Sequence, residues 1–176
     1  MKRARRRSRA GQRGAEFVEF ALVLPLILLL LLGIFDFGSF FALRQKMTNA
    51  AREGARIVIS SPLSDASCSS ATPCSIVAAA GAVVHYMANA DASISCIQPG
   101  SPTTSAPLKW TYSCANGTSL VINRGYSFSD SGNIMIPATQ VTLVYPIEWQ
   151  LGGLLPDLSR FKTITTQATM PNLASD

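Results

Sequence analysis

One long apolar run decides most of what this chain can be. From Phe20 to Phe35 every residue is apolar once Pro25 and Gly33 are counted; Asp36 interrupts, and Phe37 to Leu43 resumes the run. Phe20 to Leu43 is 24 residues. As a helix rising about 1.5 Å per residue it covers roughly 36 Å, enough to cross a bilayer core with some tilt. Pro25 removes one backbone donor inside the pattern and is expected to bend the helix. Asp36 falls towards the far interface, where a carboxylate reaches water, so a snorkelling interfacial residue is favoured over a buried functional one.

The charges set the orientation. Seven of the 15 Lys and Arg residues stand before Gly14 (Lys2, Arg3, Arg5, Arg6, Arg7, Arg9 and Arg13), and no acid does. The rest of the chain has eight bases against ten acids, so the net charge of +5 belongs to a basic head. A basic stretch abutting an apolar span marks the cytoplasmic flank, which places everything after about Leu43 outside. Nucleic-acid binding is disfavoured, because neither aromatic interleaving nor a recognition helix accompanies the arginines. A signal-peptidase site needs small residues after the apolar core. Here that region reads FDFGSFFALRQKM, too bulky for such a site.

Beyond the span the helical pattern persists. Met47, Ala50, Ala51, Gly54, Ala55 and Val58 recur at spacings of three and four and share one face. Their small size allows close backbone approach. Packing against the protein's own sheet is favoured over docking of a partner helix. Pro62 and the Ser-rich stretch SSPLSDASCSSATP read as a stop and a loop. Ser75 to Asn89 reads as a second, buried helix started by Thr72-Pro73. ASISCIQ, LKWTYSC, SLVIN, QVTLVYPIEW and FKTITTQATM read as strands, with Ala-Asn-Gly-Thr as a turn and Gly152-Gly153 as another. Val141, Leu143 and Tyr145 alternate, as do Ile164, Thr166 and Ala168, which suits half-buried strands. The expected class is α+β: a long N-terminal transmembrane helix continuing into an extracytoplasmic domain with a second helix and an antiparallel sheet.

All four cysteines (Cys68, Cys74, Cys96, Cys114) follow the span, on the side where disulfides form. Three pairings are possible. Cys68–Cys74 with Cys96–Cys114 is preferred, the first stapling the Ser-rich loop to the second helix and the second joining neighbouring strands. No C-x-x-C occurs and His85 is the single histidine, so no metal site is expected. Nothing assembles a catalytic set or a phosphate loop, and no cofactor or small-molecule substrate is expected.

The start of the span resembles something specific. A basic leader, Gly14, then Glu19 at the fifth following position and Phe20 at the sixth, ahead of a long apolar helix, looks like a type IV prepilin processing site. VEFALVLP, DFG and TNAAREGAR closely resemble the TadE-like proteins of the tight-adherence (Tad, or Flp) pilus system, and QVTLVYPIEWQLGGLLP with ITTQATMPN looks like that family's C-terminal strands. The resemblance implies a pilin-like domain and a pseudopilin cut between Gly14 and Ala15 by a prepilin peptidase. Its other partners would be the membrane and further pilin-like subunits, with Glu19 meeting the new N-terminus of a neighbour. On the residues alone Glu19 can also sit in the headgroup layer, and Glu16 is given no role. The organisation expected is a leader over 1–14, a transmembrane helix over 15–43, its extension over 44–61 and an α+β domain over 62–176. An uncleaved, single-pass anchored binding module is the alternative.

Overall fold

The computed structural model describes residues 10–62, 66–69, 72–88, 92–147 and 163–172; side chains at 10–13, 15, 92 and 93 are outside the description. The leader arginines before residue 10, Trp149 and the Gly152-Gly153 turn lie outside the described residues. Helix α1 runs unbroken from Ala10 to Ile59, 50 residues with Pro25 inside. At about 1.5 Å per residue it is roughly 75 Å long. Helix α2 is Cys74–Ala88. The strands are β1 Ser67–Ser69, β2 Thr72–Pro73, β3 Thr104–Ala106, β4 Lys109–Ser113, β5 Ser119–Ser129, β6 Met135–Pro146 and β7 Thr163–Pro171. β1 and β2 form a small hairpin, and β3 to β7 form a five-stranded antiparallel meander in chain order. The fold is α+β.

The upper third of α1 makes the core. Met47, Ala50, Ala51, Ala55 and Val58 have no exposed surface, and Gly54 is buried with them. They pack on Ile76, Ala79, Ala80, Val83 and Met87 of α2 and on the inner face of the sheet, where Trp110, Tyr112, Leu120, Ile122, Val141, Leu143, Tyr145, Ile164 and Ala168 are buried. The small stripe therefore serves the protein's own domain. It brings the α1 backbone so close that a Cβ on Gly54 would stand 2.9 Å from Val83 Cγ2 and 3.7 Å from Val141 Cγ1.

Four sequence expectations change. ASISCIQ is not a strand: Ala92–Cys96 is a 3-10 helix. Its buried apolar residues, Ile94 and Ile97, are three apart, the spacing of one 3-10 turn rather than of a pleat. Cys96 thus leaves a helix to reach Cys114, just past β4, so this bridge joins a helix end to a strand end instead of two strands. The Ser-rich loop is not wholly irregular, since it holds the β1–β2 hairpin, closed by the Cys68–Cys74 bridge. Asp36 does not face outwards but is 7% exposed and makes a partnered contact. The reason lies in the helix period: Asp36 stands on the same stripe as Phe40 and Leu43, both of which pack on the core.

Tyr112 ties β4 to the loop ahead of β3. Its hydroxyl donates to the Pro99 carbonyl at 2.7 Å. Burial disfavours the phenolate and pushes the group from 10.0 up to about 12. The folded state therefore keeps a proton that the unfolded chain loses, so the contribution of Tyr112 to stability is constant below about pH 10 and falls as pH rises from about 10 to about 12. The thermal unfolding midpoint of the protein in lipid nanodiscs is expected to drop across that window, and Tyr112→Phe should flatten the drop.

Candidate functional site

The candidate site is the free length of α1. Gly14 is exposed, as are Glu16 and Glu19, and no atom lies within 4 Å of a Cβ built on Gly14. The missing side chain of Gly14 is therefore not required by packing in its direction. The apolar residues that follow have no partner in the domain: Phe17 is 77% exposed, Leu22 77%, Leu26 67% and Phe35 73%. So large an exposed apolar surface is not tolerated in water and marks contact with lipid or another protein. The segment is long and apolar enough to cross a membrane.

Ala15 and Glu19 are four residues apart in one helix, so their α-carbons lie on one face about 6 Å apart. Helical side chains lean towards the N-terminus. A carboxylate at Glu19 is therefore aimed back along the helix towards residue 15. An amine freed on Ala15 would lie on the same face, within reach of this carboxylate or of one on an adjacent helix. Phe20 is 58% exposed and stands beside this face.

Further along, a shallow groove of about 430 Å³ lies on the outer side of α1, lined by Phe41, Arg44, Gln45, Thr48, Asn49 and Arg52. It holds two guanidinium groups and no carboxylate, thiol or imidazole, and its one hydroxyl, Thr48 Oγ1, donates to the Arg44 carbonyl at 2.8 Å. His85 is exposed on α2. Among the described residues no three His, Cys, Asp or Glu side chains cluster so as to hold a metal ion.

Sequence reasoning missed Arg124. It is 5% exposed on the inner face of β5, donating through Nη2 to the Ser61 carbonyl at 2.8 Å and through Nη1 to Ser75 Oγ at 3.4 Å. One guanidinium thus holds the end of α1, the start of α2 and the sheet together. The signal was available in the register Leu120, Ile122, Arg124, which puts the arginine on the buried face.

Neither a curated protein nor a solved structure matches the chain. The sequence model of the TadE-like protein family does match, over residues 14–56. That stretch opens on Gly14, contains Glu19 and the exposed apolar segment, and ends within the small-residue stripe that seats the domain: from Gly14 to Arg56 the chain is similar to TadE-like proteins.

Proposed function

We propose that the protein is a pseudopilin of a Tad-type pilus assembly system, a single-pass protein of the bacterial cytoplasmic membrane with its N-terminus in the cytoplasm and its domain outside. A prepilin peptidase cuts between Gly14 and Ala15, and α1 then packs among other pilin-like subunits while the domain makes the specific contacts. It has no catalytic role. The observation that carries this reading is the family match that begins at Gly14, within a helix that continues without a break into the folded domain.

The depth of Glu19 follows from where the domain stops. On the side facing the domain Asp36 is buried and Phe40 and Leu43 are half-buried, while Phe37 and Phe41 on the other sides stay 55% and 56% exposed. A hydrocarbon core of about 30 Å spans about 20 helical residues. We take its far edge at the level of Asp36, in which case it begins near Glu16 and Glu19 lies about a turn inside the apolar layer. A carboxylate there costs a few kcal/mol on insertion scales. Pairing with the α-amine created on Ala15 offsets that cost, which explains why an acid stands at this position.

The test is the intact mass and N-terminal sequence of the protein made with and without its host's prepilin peptidase. A peptidase-dependent start at Ala15 is expected. A start at Met1 in both conditions would sink the reading and leave an uncleaved anchored binding module. Gly14→Leu should leave the full-length precursor as nearly the only species, because a pocket shaped for glycine has no room for a branched side chain. Glu19→Val removes a desolvation cost, so it should insert normally and be cut, yet fail to support piliation. Normal piliation by Glu19→Val would refute the pairing role.

A further inference from the structure

The outward face of α1 changes character where it leaves the bilayer. Ile34, Phe37 and Phe41 follow one another at spacings of three and four and so share a face, and all three are more than half exposed. The same face continues into the groove lined by Phe41, Arg44, Gln45, Thr48, Asn49 and Arg52. Phe41 belongs to both. Its ring stands edge-on to that of Phe40, with centroids 5.6 Å apart, and Phe40 packs on the core. The membrane end of the groove is therefore held to the domain. Above Phe41 the groove is cationic. From Phe37 to Arg52 the chain has three bases, Arg44, Lys46 and Arg52, and no acid. The next acid, Glu53, pairs with Arg56 and does not line the groove. Arg44 and Lys46 also stand on the flank opposite the basic leader, where the positive-inside preference gives no reason for a cation.

Depth separates the two guanidinium groups. Both Arg44 and Arg52 are exposed. With the far hydrocarbon edge at Asp36, Arg44 stands eight residues further along α1 and Arg52 sixteen, or about 12 Å and about 24 Å along the axis. The headgroup layer on that side is roughly 5–8 Å deep. Helical side chains lean towards the N-terminus, which on this stretch is towards the bilayer. A long arginine leaning that way lays its methylenes on apolar surface and carries its charge down. Arg44 thus reaches the level of lipid phosphate, and Arg52 stays well above it.

We propose that this face of α1 binds an anionic phospholipid of the leaflet next to the domain, with an acyl chain along Ile34, Phe37 and Phe41 and the phosphate on the Arg44 guanidinium. The continuity of an apolar stripe with a cation at phosphate depth is what selects this ligand. Phosphate oxygens accept and a guanidinium donates, so the contact is charge-assisted. A zwitterionic headgroup carries its own cation and gains less from Arg44. A second copy would bring the same three bases to this face and no acid, and like charges repel. An acidic protein segment would be held by Arg44 and Arg52 alike, and it has no use for an apolar stripe that runs down into the bilayer. The inference rests on α1 crossing a bilayer and not on the pilus-assembly reading.

The test places a photo-crosslinking amino acid at Gln45 of the full-length protein, in nanodiscs made of equal parts phosphatidylglycerol and phosphatidylcholine. Lys46, at almost the same height but a quarter-turn or more around the helix, is the control position, and Leu26 reports the apolar span. Lipid adducts are identified by mass. At 45 the phosphatidylglycerol adduct should exceed the phosphatidylcholine adduct by roughly fivefold, the usual worth of one arginine near an anionic surface. At 46 the two should be near equal. Arg44→Gln should bring the ratio at 45 close to one, whereas Arg52→Gln should leave it as it is. Both side chains are exposed, so neither change should move the melting temperature. A ratio at 45 no larger than at 46, a ratio that survives Arg44→Gln, one that falls equally with Arg52→Gln, or one that disappears in millimolar inorganic phosphate each overturns the proposal. Lipid adducts at 26 without the bias at 45 would sink the lipid site and leave the membrane anchor standing. No lipid adduct at 26 would refute the anchor as well.

Discussion

Gly54→Leu is expected to unseat α1 from its domain and to lower the thermal midpoint in nanodiscs by about 10 °C or more. The new Cβ alone would stand 2.9 Å from Val83 Cγ2, and Val83 has no exposed surface into which to move. Val83 is β-branched and on a helix, so it has essentially one rotamer to offer. Val141 and the Ala79 carbonyl, each 3.7 Å from the same point, close the remaining directions. Overpacking a filled core costs about 1–3 kcal/mol and more when no neighbour can yield. Replacing a helical glycine recovers about 1 kcal/mol of propensity, which does not offset it. Gly54→Ala pits the same two terms against each other with a smaller intrusion and should cost about 2 kcal/mol or less. Gly81→Ala is the control: its Cβ would meet only Pro99 Cγ at 3.9 Å, so the propensity gain stands alone and the midpoint should rise. If Gly54→Leu melted like the native protein, the close approach of α1 to α2 would be wrong.

The comparison of sequence with structure follows the same logic of period and side-chain volume. Met47 to Val58 was legible as one face because spacings of three and four over twelve positions leave little choice of face. β6 and β7 were legible because alternation over Val141, Leu143 and Tyr145, and over Ile164, Thr166 and Ala168, fixes which side is buried. Short elements were not. β1 and β2 have three and two residues, too few for any period, and a Ser-rich stretch with a proline reads as a loop until a disulfide closes it. ASISCIQ was not legible as a helix, because its five helical residues are too few to show a period. Asp36 was judged by its depth in the span, when its place on the Phe40–Leu43–Met47 stripe decides its surroundings. The pattern of Gly14, Ala15 and Glu19 is local and needs no fold to be read, and the cleavage proposed for it rests on the peptidase experiment rather than on the fold. That β4 stops short of the outer part of β5 was invisible, because only strand pairing reveals where a neighbour ends.

Arg124→Met should be nearly as damaging as the glycine change, by a different route. Methionine fills much of the same volume, so little cavity is left and the loss is mainly polar. The Ser61 carbonyl belongs to the chain leaving α1, where the last helical carbonyls lack intrahelical donors. A cation there also complements the negative end of the helix dipole. Hydrogen bonds to a charged donor contribute about 1.5–3 kcal/mol each. The 2.8 Å bond to Ser61 stands near that range and the 3.4 Å contact to Ser75 well below it. Against the loss stands the relief of no longer burying a guanidinium, which can amount to several kcal/mol. The balance turns on what is left behind: the Ser61 carbonyl, on a partly buried residue, loses its donor, and the end of α1 loses its tie to α2. A net cost of about 2–4 kcal/mol follows, or roughly 5–15 °C in the melting midpoint. Arg124→Lys separates charge from geometry. A single ammonium keeps the charge but cannot span Ser61 and Ser75 as a planar fork does, so it should recover less than half of the lost stability. Full recovery by lysine would mean that the dipole, and not the clasp, is what Arg124 supplies. A midpoint unchanged in both variants would mean that α1, α2 and the sheet hold together without it.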